Sequence, residues 1–475
     1  MNSRNANPLT SVATRNVRIK SILIFLAASI LSACLLASSG RWSLVREPDS
    51  ESYVHFDWSS WHGVLGGIRT PGYPGIVHWV ASSVGLEAIP MIHWLMMVIA
   101  TAVLCWGFRS IGFPLLTATF TSIPLLFARS LWDLGPSLAS DSPAIALAIV
   151  SIGIFLGVLA RPQALSRWIA LSIACMSTLL VRPAYLFLIP LLPLLALWLM
   201  RFVFQRTSRE SFLISLSMGV VLLTPLFGYA MLRRATIGEF GFVSFAGYNL
   251  IGITGQYLEP ADISKLPEEV RELAHEIIAN RSDVDDYAPP DTYEAIVHLF
   301  NPTVWRMADP AANKVLGDDT ALCNRRLRQL AIASLQLHRT QYANWLLQNG
   351  RSMLDQLLRN ACSDLSAKGS MLGVLFALLI TAVSPNSVRA WRDERESAGT
   401  TGRVAAFAPV SSTMCPSRQF HTIAWIAIGF IVAKGLLVIL VEPALGRYVI
   451  AVGCLIPCLI GWVCYQLAAI LLRRP

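Results

Sequence analysis

Charge is what this sequence has least of. Only 14% of its 475 residues are Asp, Glu, Lys or Arg, where a soluble domain carries about 25%. With 54% hydrophobic residues and a mean hydropathy of +0.55, the composition belongs to a polytopic membrane protein. The nine cysteines include no CxxC pair, which argues against a zinc site. His55, His62, His78 and His93 lack metal-ligand spacing such as HExxH. No Walker A motif and no Rossmann glycine pattern occurs, which argues against an ATP-driven pump and a nucleotide-binding Rossmann enzyme. Internal repeats and tandem halves are absent too, which weakens a transporter built on inverted repeats. The net charge of +9 does not indicate a nucleic-acid partner, because the basic residues sit mainly between apolar runs, where topology explains them.

What is present is a series of apolar runs. A bilayer span needs about 17–25 residues. Runs of that kind are at about 20–38, 88–107, 111–128, 142–160, 168–181, 184–200, 211–231, 369–386, 419–440 and 446–471. The expected fold class is therefore all-α integral membrane, with about ten transmembrane helices and a helical outer loop region. The fifth and sixth runs are separated only by Arg182-Pro183, so they read equally as one broken hairpin. The first follows a polar, basic stretch, Met1 to Lys20. It is read as a retained signal-anchor, although Ser38-Ser39-Gly40 is small enough for cleavage.

Orientation follows the Lys/Arg bias of short loops. One set holds Arg4, Arg15, Arg18 and Lys20, then Arg109, Arg161 and Arg167, Arg201, Arg206 and Arg209. It continues with Arg389, Arg392, Arg395, Arg403 and Arg418, and ends at Arg473 and Arg474. The opposite short loops hold Arg129, Arg182 and Arg447. The longer first loop on that side adds Arg41, Arg46 and Arg69. Residues 39–87 and the hydrophilic segment 232–368 are thus expected outside, in a multi-pass protein of a bacterial inner or plasma membrane. Three parts result: an N-terminal membrane module (1–231) with the first outer loop (39–87), an extracytoplasmic helical segment (232–368), and C-terminal membrane helices (369–475). In the middle part "LPEEVRELAHEIIANR" (266–281) and the stretch 325–359 are amphipathic helices, separated by the loop "DVDDYAPPDTY". They are expected along the interface or over the outer mouth of the bundle. Cys323 and Cys362 share this segment; a disulfide and two free thiols both remain open.

The expected outer boundary collects polar residues: Asp49, Glu51 and Tyr53 in "DSESY", Arg69 and Tyr73 in "RTPGYP", Asp141 in "ASDSP", Arg182 in "LVRPAY", then Glu442, Arg447 and Tyr448 around "LGRYVI". Acids and arginines converging at one depth suit a phosphate and a proton. Those motifs, in that order and on that side, resemble the GT-C superfamily of polytopic glycosyltransferases, such as protein O-mannosyltransferases and lipid A aminoarabinose transferases. The "A…hP…Y" element common in the outer-loop helix of such proteins is matched only loosely, since Arg339-Thr340 stands where the proline is usual.

The resemblance implies a transferase that moves a sugar from a polyprenyl-phosphate donor to a glycan, lipid or protein acceptor. The attacking hydroxyl needs a base, and Asp49 is the candidate; its alternative role is to cap a helix start beside Pro48. On a helix Asp49 and Tyr53 would share a face at i,i+4, while Glu51 would point away. The leaving phosphate calls for arginines: Arg447 first, Arg182 next, with Arg69 as a positioner of the loop. Each has the bland alternative of snorkelling to headgroups. Asp141 is a second acid for sugar or acceptor, or a helix cap. Tyr73, between Pro71 and Pro74, reads as a stiff turn that walls the site. Tyr448 is expected to line the phosphate pocket. No cofactor is assured; some GT-C enzymes hold a divalent cation beside the acid, and one Asp-x-Glu leaves that open. The competing classes are a transporter or flippase of lipid-linked sugar, which would need polar groups within spans, of which Lys434 is the exception noted, and a polysaccharide polymerase or ligase.

Overall fold

A computed structural model describes residues 8–284, 287–366 and 414–471. Among these, every regular element is a helix, and the sole β contact is an isolated parallel bridge between Val45 and Ser137. An apolar solvent leaves backbone N–H and C=O groups no partner but each other, and helices satisfy them within one segment. Six helices are long and apolar enough to cross a membrane: Asn16–Ser38, Leu86–Ser110, Asp141–Ala160, Pro183–Val203, Ser208–Ile237 and Pro416–Val441. Gly446–Gly453 and Ile456–Leu471 form a seventh if counted as one span bent by 44°.

The expected ten are not reached among the described residues. The runs at 111–128 and 168–181 form shorter apolar helices, Leu115–Leu126 and Leu165–Val181, and the run at 369–386 lies outside the described residues, as do Arg389, Arg392, Arg395 and Arg403.

Burial orders the helices. The Asp141–Ala160 helix is 83% buried and forms the centre, whereas Ser208–Ile237 is 17% buried and shows Phe212, Leu216, Val220 and Phe227 to its surroundings, as a lipid-facing helix does. The central helix packs on Leu86–Ser110 where Gly107 and Gly153 bring the two backbones into contact; a Cβ at either position would strike main-chain atoms of the other helix. Small residues at such crossings are how helices associate where no hydrophobic effect drives them together.

A second core lies in the 245–333 segment. Its centre includes Ile251, Leu273, Ile277 and Leu327. The expected helix at 266–281 is present as Glu268–Ala279, with Val270, Leu273, Ala274 and Ile277 buried. The stretch 325–359 is two helices rather than one, Thr320–Leu337 and Arg339–Ser366, broken at His338. Asp319 starts the first by accepting from Ala321 N and Leu322 N at 2.9 and 3.1 Å. The second runs over the turn that follows Pro416–Val441. There Asn349 Nδ2 donates to Glu442 O (2.9 Å) and its Oδ1 accepts from Ala444 N (2.7 Å). Cys323 and Cys362 are both unbridged.

The basic loops gather at one end of the bundle. Met414 N donates to Gly112 O at 2.8 Å, and the Arg418 guanidinium to Gln205 Oε1 at 2.7 Å, joining three of those loops. The polar motifs gather at the other end.

Candidate functional site

The site is assembled from four separate pieces of chain. The first is residues 41–74. It is stapled to the segment before the central helix by the Val45–Ser137 bridge, by Ser50 Oγ donating to Leu138 O (2.9 Å) and by Ser137 Oγ donating to Glu47 (2.9 Å). "RTPGYP" is not a turn: it begins the helix Gly72–Ser83, with Pro71 at its N-cap. A proline tolerates a first helical turn because its missing N–H would be unpaired there anyway. Gly72 lets that helix start directly against the backbone of Leu180 and Val181, where any Cβ would collide. The first loop is therefore set next to Arg182.

The carboxylate of Asp49 faces two guanidinium groups. Arg69 reaches Oδ1 at 2.8 Å, and Arg447, 398 positions later in the chain, reaches Oδ2 at 3.4 Å. Asp49 does not cap the short helix Glu51–Val54; Ser50 takes that position. Arg69 is held from three sides: Asp49, the Ser52 hydroxyl (Nε to Oγ, 3.0 Å) and the ring of Tyr53, whose centroid is 4.9 Å from Cζ. Asp49 and Tyr53 thus share one arginine, as their i,i+4 spacing anticipates. Glu51 points elsewhere, exposed, to Arg46 (2.6 Å) and His55 (3.2 Å). Burial pushes the Asp49 carboxyl up, but the charges of Arg69, Arg447 and Arg182 outweigh it and hold the group below its ordinary 3.8.

The second piece is the start of the central helix. Asp141 occupies its first turn but makes no capping bond; its Oδ2 pairs with Arg182 at 3.2 Å, so the capping alternative is not realised. Ser140 was not singled out by its sequence motif, yet it joins the pieces. Its Oγ accepts from Arg182 at 2.8 Å and lies 3.3 Å from the Tyr53 hydroxyl. The third piece is the Arg182–Tyr185 turn. The fourth is the stretch from Lys434 through Glu442 to Tyr448. The Tyr448 ring lies under both arginines, 5.4 Å from Arg182 Cζ and 5.1 Å from Arg447 Cζ, and its hydroxyl accepts from Arg447 at 3.2 Å. Glu442 accepts from Asn249 Nδ2 at 2.9 Å and is within electrostatic reach of Arg182 and Lys434.

Tyr73 is fully buried as a wall. Its ring meets Tyr53 edge to face at 4.8 Å, and its hydroxyl lies 3.4 Å from His93 Nε2. Burial, helped by Tyr53 and Asp141, raises its hydroxyl well above the ordinary tyrosine value, so it stays neutral.

Of the ten boundary residues singled out from the sequence, Asp49, Tyr53, Arg69, Tyr73, Asp141, Arg182, Arg447 and Tyr448 therefore lie in one connected cluster, and Glu51 lies outside it. Three arginines (Arg69, Arg182, Arg447) stand against three carboxylates (Asp49, Asp141, Glu442), and Lys434, when protonated, adds one positive charge. Arg182 donates from Nη1 to Ser140 and Asp141, and Arg447 from Nη2 to Asp49 and Tyr448; a guanidinium has five N–H donors in a fork that suits an anion. Both Asp49 oxygens are on guanidinium groups, and among the described residues no three His, Cys, Asp or Glu side chains converge as metal ligands. Comparison with protein-family models and with curated proteins yields no match for the chain, so a functional reading rests on the residues and their geometry.

Proposed function

We propose that the chain is a membrane glycosyltransferase of GT-C type. It would transfer a sugar from a polyprenyl-phosphate donor to an acceptor hydroxyl on the outer face of the membrane. The observation that carries this reading is the double ion pair of Asp49 with Arg69 and Arg447, set beside Arg182. A base and a phosphate clamp at one membrane boundary are what the transfer needs. The arginine bias of the opposite loops supports the outer location, and a bacterial inner membrane with about ten spans belongs to the same proposal.

Arg447 and Arg182 would receive the donor phosphate, and Tyr448 would floor that pocket. A guanidinium-bound carboxylate is a weak base. When the phosphate draws Arg447 away, Asp49 regains basicity, and it then takes the proton of the acceptor hydroxyl as that oxygen attacks the anomeric carbon. Arg69 keeps the carboxylate in place. A flippase is favoured less: of the charged groups buried within spans among the described residues, Asp141 and Lys434 sit at the Arg182 end, and Arg233, near the end of its helix, is taken up by Leu65 O, Ser244 and Glu239, so they mark no path across the bundle.

Purified protein supplied with a radiolabelled polyprenyl-phosphate sugar and an acceptor extract is expected to release polyprenyl phosphate with label in the acceptor. Movement of the intact donor across vesicles without cleavage would make the protein a flippase. Folded protein that cleaves no donor across a panel of sugars would reject the reading.

The pH dependence has a definite sign. Asp49's carboxyl is held below 3.8, so its ion pairs stabilise the fold fully above that value and are lost only as pH falls through the lower, folded one. Arg69→Met removes the largest of the charges that act against burial. The acid limb of donor turnover is then expected at higher pH than in the wild type; a pH–rate profile with an unmoved limb would show that Asp49 does not set it.

A further inference from the structure

Lys434 has no role in the transfer as described so far. It lies in the Pro416–Val441 helix, 1% exposed, about 10 Å below the end of that helix at 1.5 Å per residue. An ammonium at that depth is costly and is a functional candidate by default. Its Nζ makes one hydrogen bond, 3.0 Å to Ala184 O, and lies 4.5 Å from the centroid of the Tyr185 ring. Among the described residues Ala184 O is its one hydrogen-bond acceptor, and the rings of Tyr185 and Phe187 are its other contacts. Next to it are Arg182, which repels it, and Asp141 and Glu442, which attract it. Asp141 Oδ1 and the Tyr185 hydroxyl, also at this end of the bundle, are fully buried with no partner. Of the two, the Tyr185 hydroxyl can donate to a phosphate oxygen, whereas a carboxylate oxygen only accepts.

We propose that Lys434 is a phosphate-binding residue: with Arg182 and Arg447 it holds the phosphate of the lipid donor from the membrane side, and it sets the charge of the site for a single phosphodiester. This rests on the phosphate-lipid reading above. With Lys434 charged, the empty site carries one positive charge, and a phosphodiester brings one negative charge. In the transfer, the acceptor oxygen bonds to the anomeric carbon and the bond from that carbon to the phosphate oxygen breaks. The bond's electron pair leaves with the phosphate as a monoester dianion, and the acceptor proton moves to Asp49. The second negative charge on the phosphate is thus matched by the loss of one on Asp49, and the buried site stays neutral throughout. Without Lys434 it would carry one uncompensated negative charge at both stages, which a low-dielectric site penalises.

The test is binding to the full chain in detergent at pH 5, where a phosphate monoester, with its second pKa at about 6, is mainly a monoanion like the phosphodiester of the donor, using farnesyl phosphate, farnesyl diphosphate and farnesol as probes. The wild type is expected to prefer farnesyl phosphate to both others. Lys434→Met is expected to lose about 10- to 100-fold in affinity for farnesyl phosphate and to bind farnesol as the wild type does, which shows an intact apolar site. Lys434→Arg should retain most of the phosphate affinity. Three results overturn the proposal: equal farnesyl phosphate affinity in Lys434→Met and wild type, an equal loss for farnesol, or a wild-type preference for the diphosphate. Failure of the transferase reading is separate: phosphate binding through Lys434 with no sugar transfer would leave this residue's role standing and remove the activity.

Discussion

Asp49→Asn is expected to lower sugar transfer by about 10²- to 10⁴-fold, the range that a positioned general base contributes, with donor binding unchanged or tighter. The asparagine keeps the shape of the side chain but cannot take a proton. It also releases the two guanidinium groups that Asp49 occupies at 2.8 and 3.4 Å, and a free Arg447 is a better phosphate ligand than a paired one. A variant that merely unfolded would lose binding as well as turnover, so the two readouts separate chemistry from structure. Glu51→Gln is the control. Glu51 is 57% exposed and pairs only with the surface groups Arg46 and His55, so its removal should change turnover by less than about twofold, as exposed pairs contribute little. Equal turnover in Asp49→Asn and wild type would sink the base assignment, whatever else the site binds.

The largest expected effect on stability is at Arg182. Its side chain is 13% exposed and that of its partner Asp141 is 3% exposed. Arg182→Met would leave the Asp141 carboxylate with neither of its oxygens paired, since Oδ1 already has no partner. Stranding one member of a buried pair costs about 3–5 kcal/mol. The expected result is a clearly lower unfolding midpoint in detergent. Adding Asp141→Asn removes the stranded charge, so the double variant should recover most of that loss. Donor turnover should stay low in the double variant, because the phosphate ligand is still missing. Were the double variant no more stable than Arg182→Met, the pair would not be what holds the two helices together. Were its turnover restored, Arg182 would be a structural arginine only.

Much of this protein is legible in its sequence, because the physics that fixes it is local or compositional. The apolar runs and the arginine-rich loops follow from what a bilayer excludes, and they need no knowledge of neighbours. Asp49 and Tyr53 turned out to share Arg69 because a four-residue spacing on a helical turn is itself a local rule. Span number was harder. A run such as 168–181 has the composition of a span but forms the short helix Leu165–Val181, and hydropathy alone does not say how the bundle uses it.

What only the tertiary structure decided is which charges meet. Arg447 reaches Asp49 across 398 positions, and Ser140, an ordinary residue before a helix, joins Tyr53 to Arg182. Lys434 reads in sequence as an odd charge in a greasy run. In the fold its ammonium rests on the carbonyl of Ala184, two residues from Arg182. Composition can require that a buried charge have a partner, because desolvation is costly wherever it happens. It cannot name that partner, because a hydrogen bond depends on distances of about 3 Å between atoms that only the packing of distant helices sets.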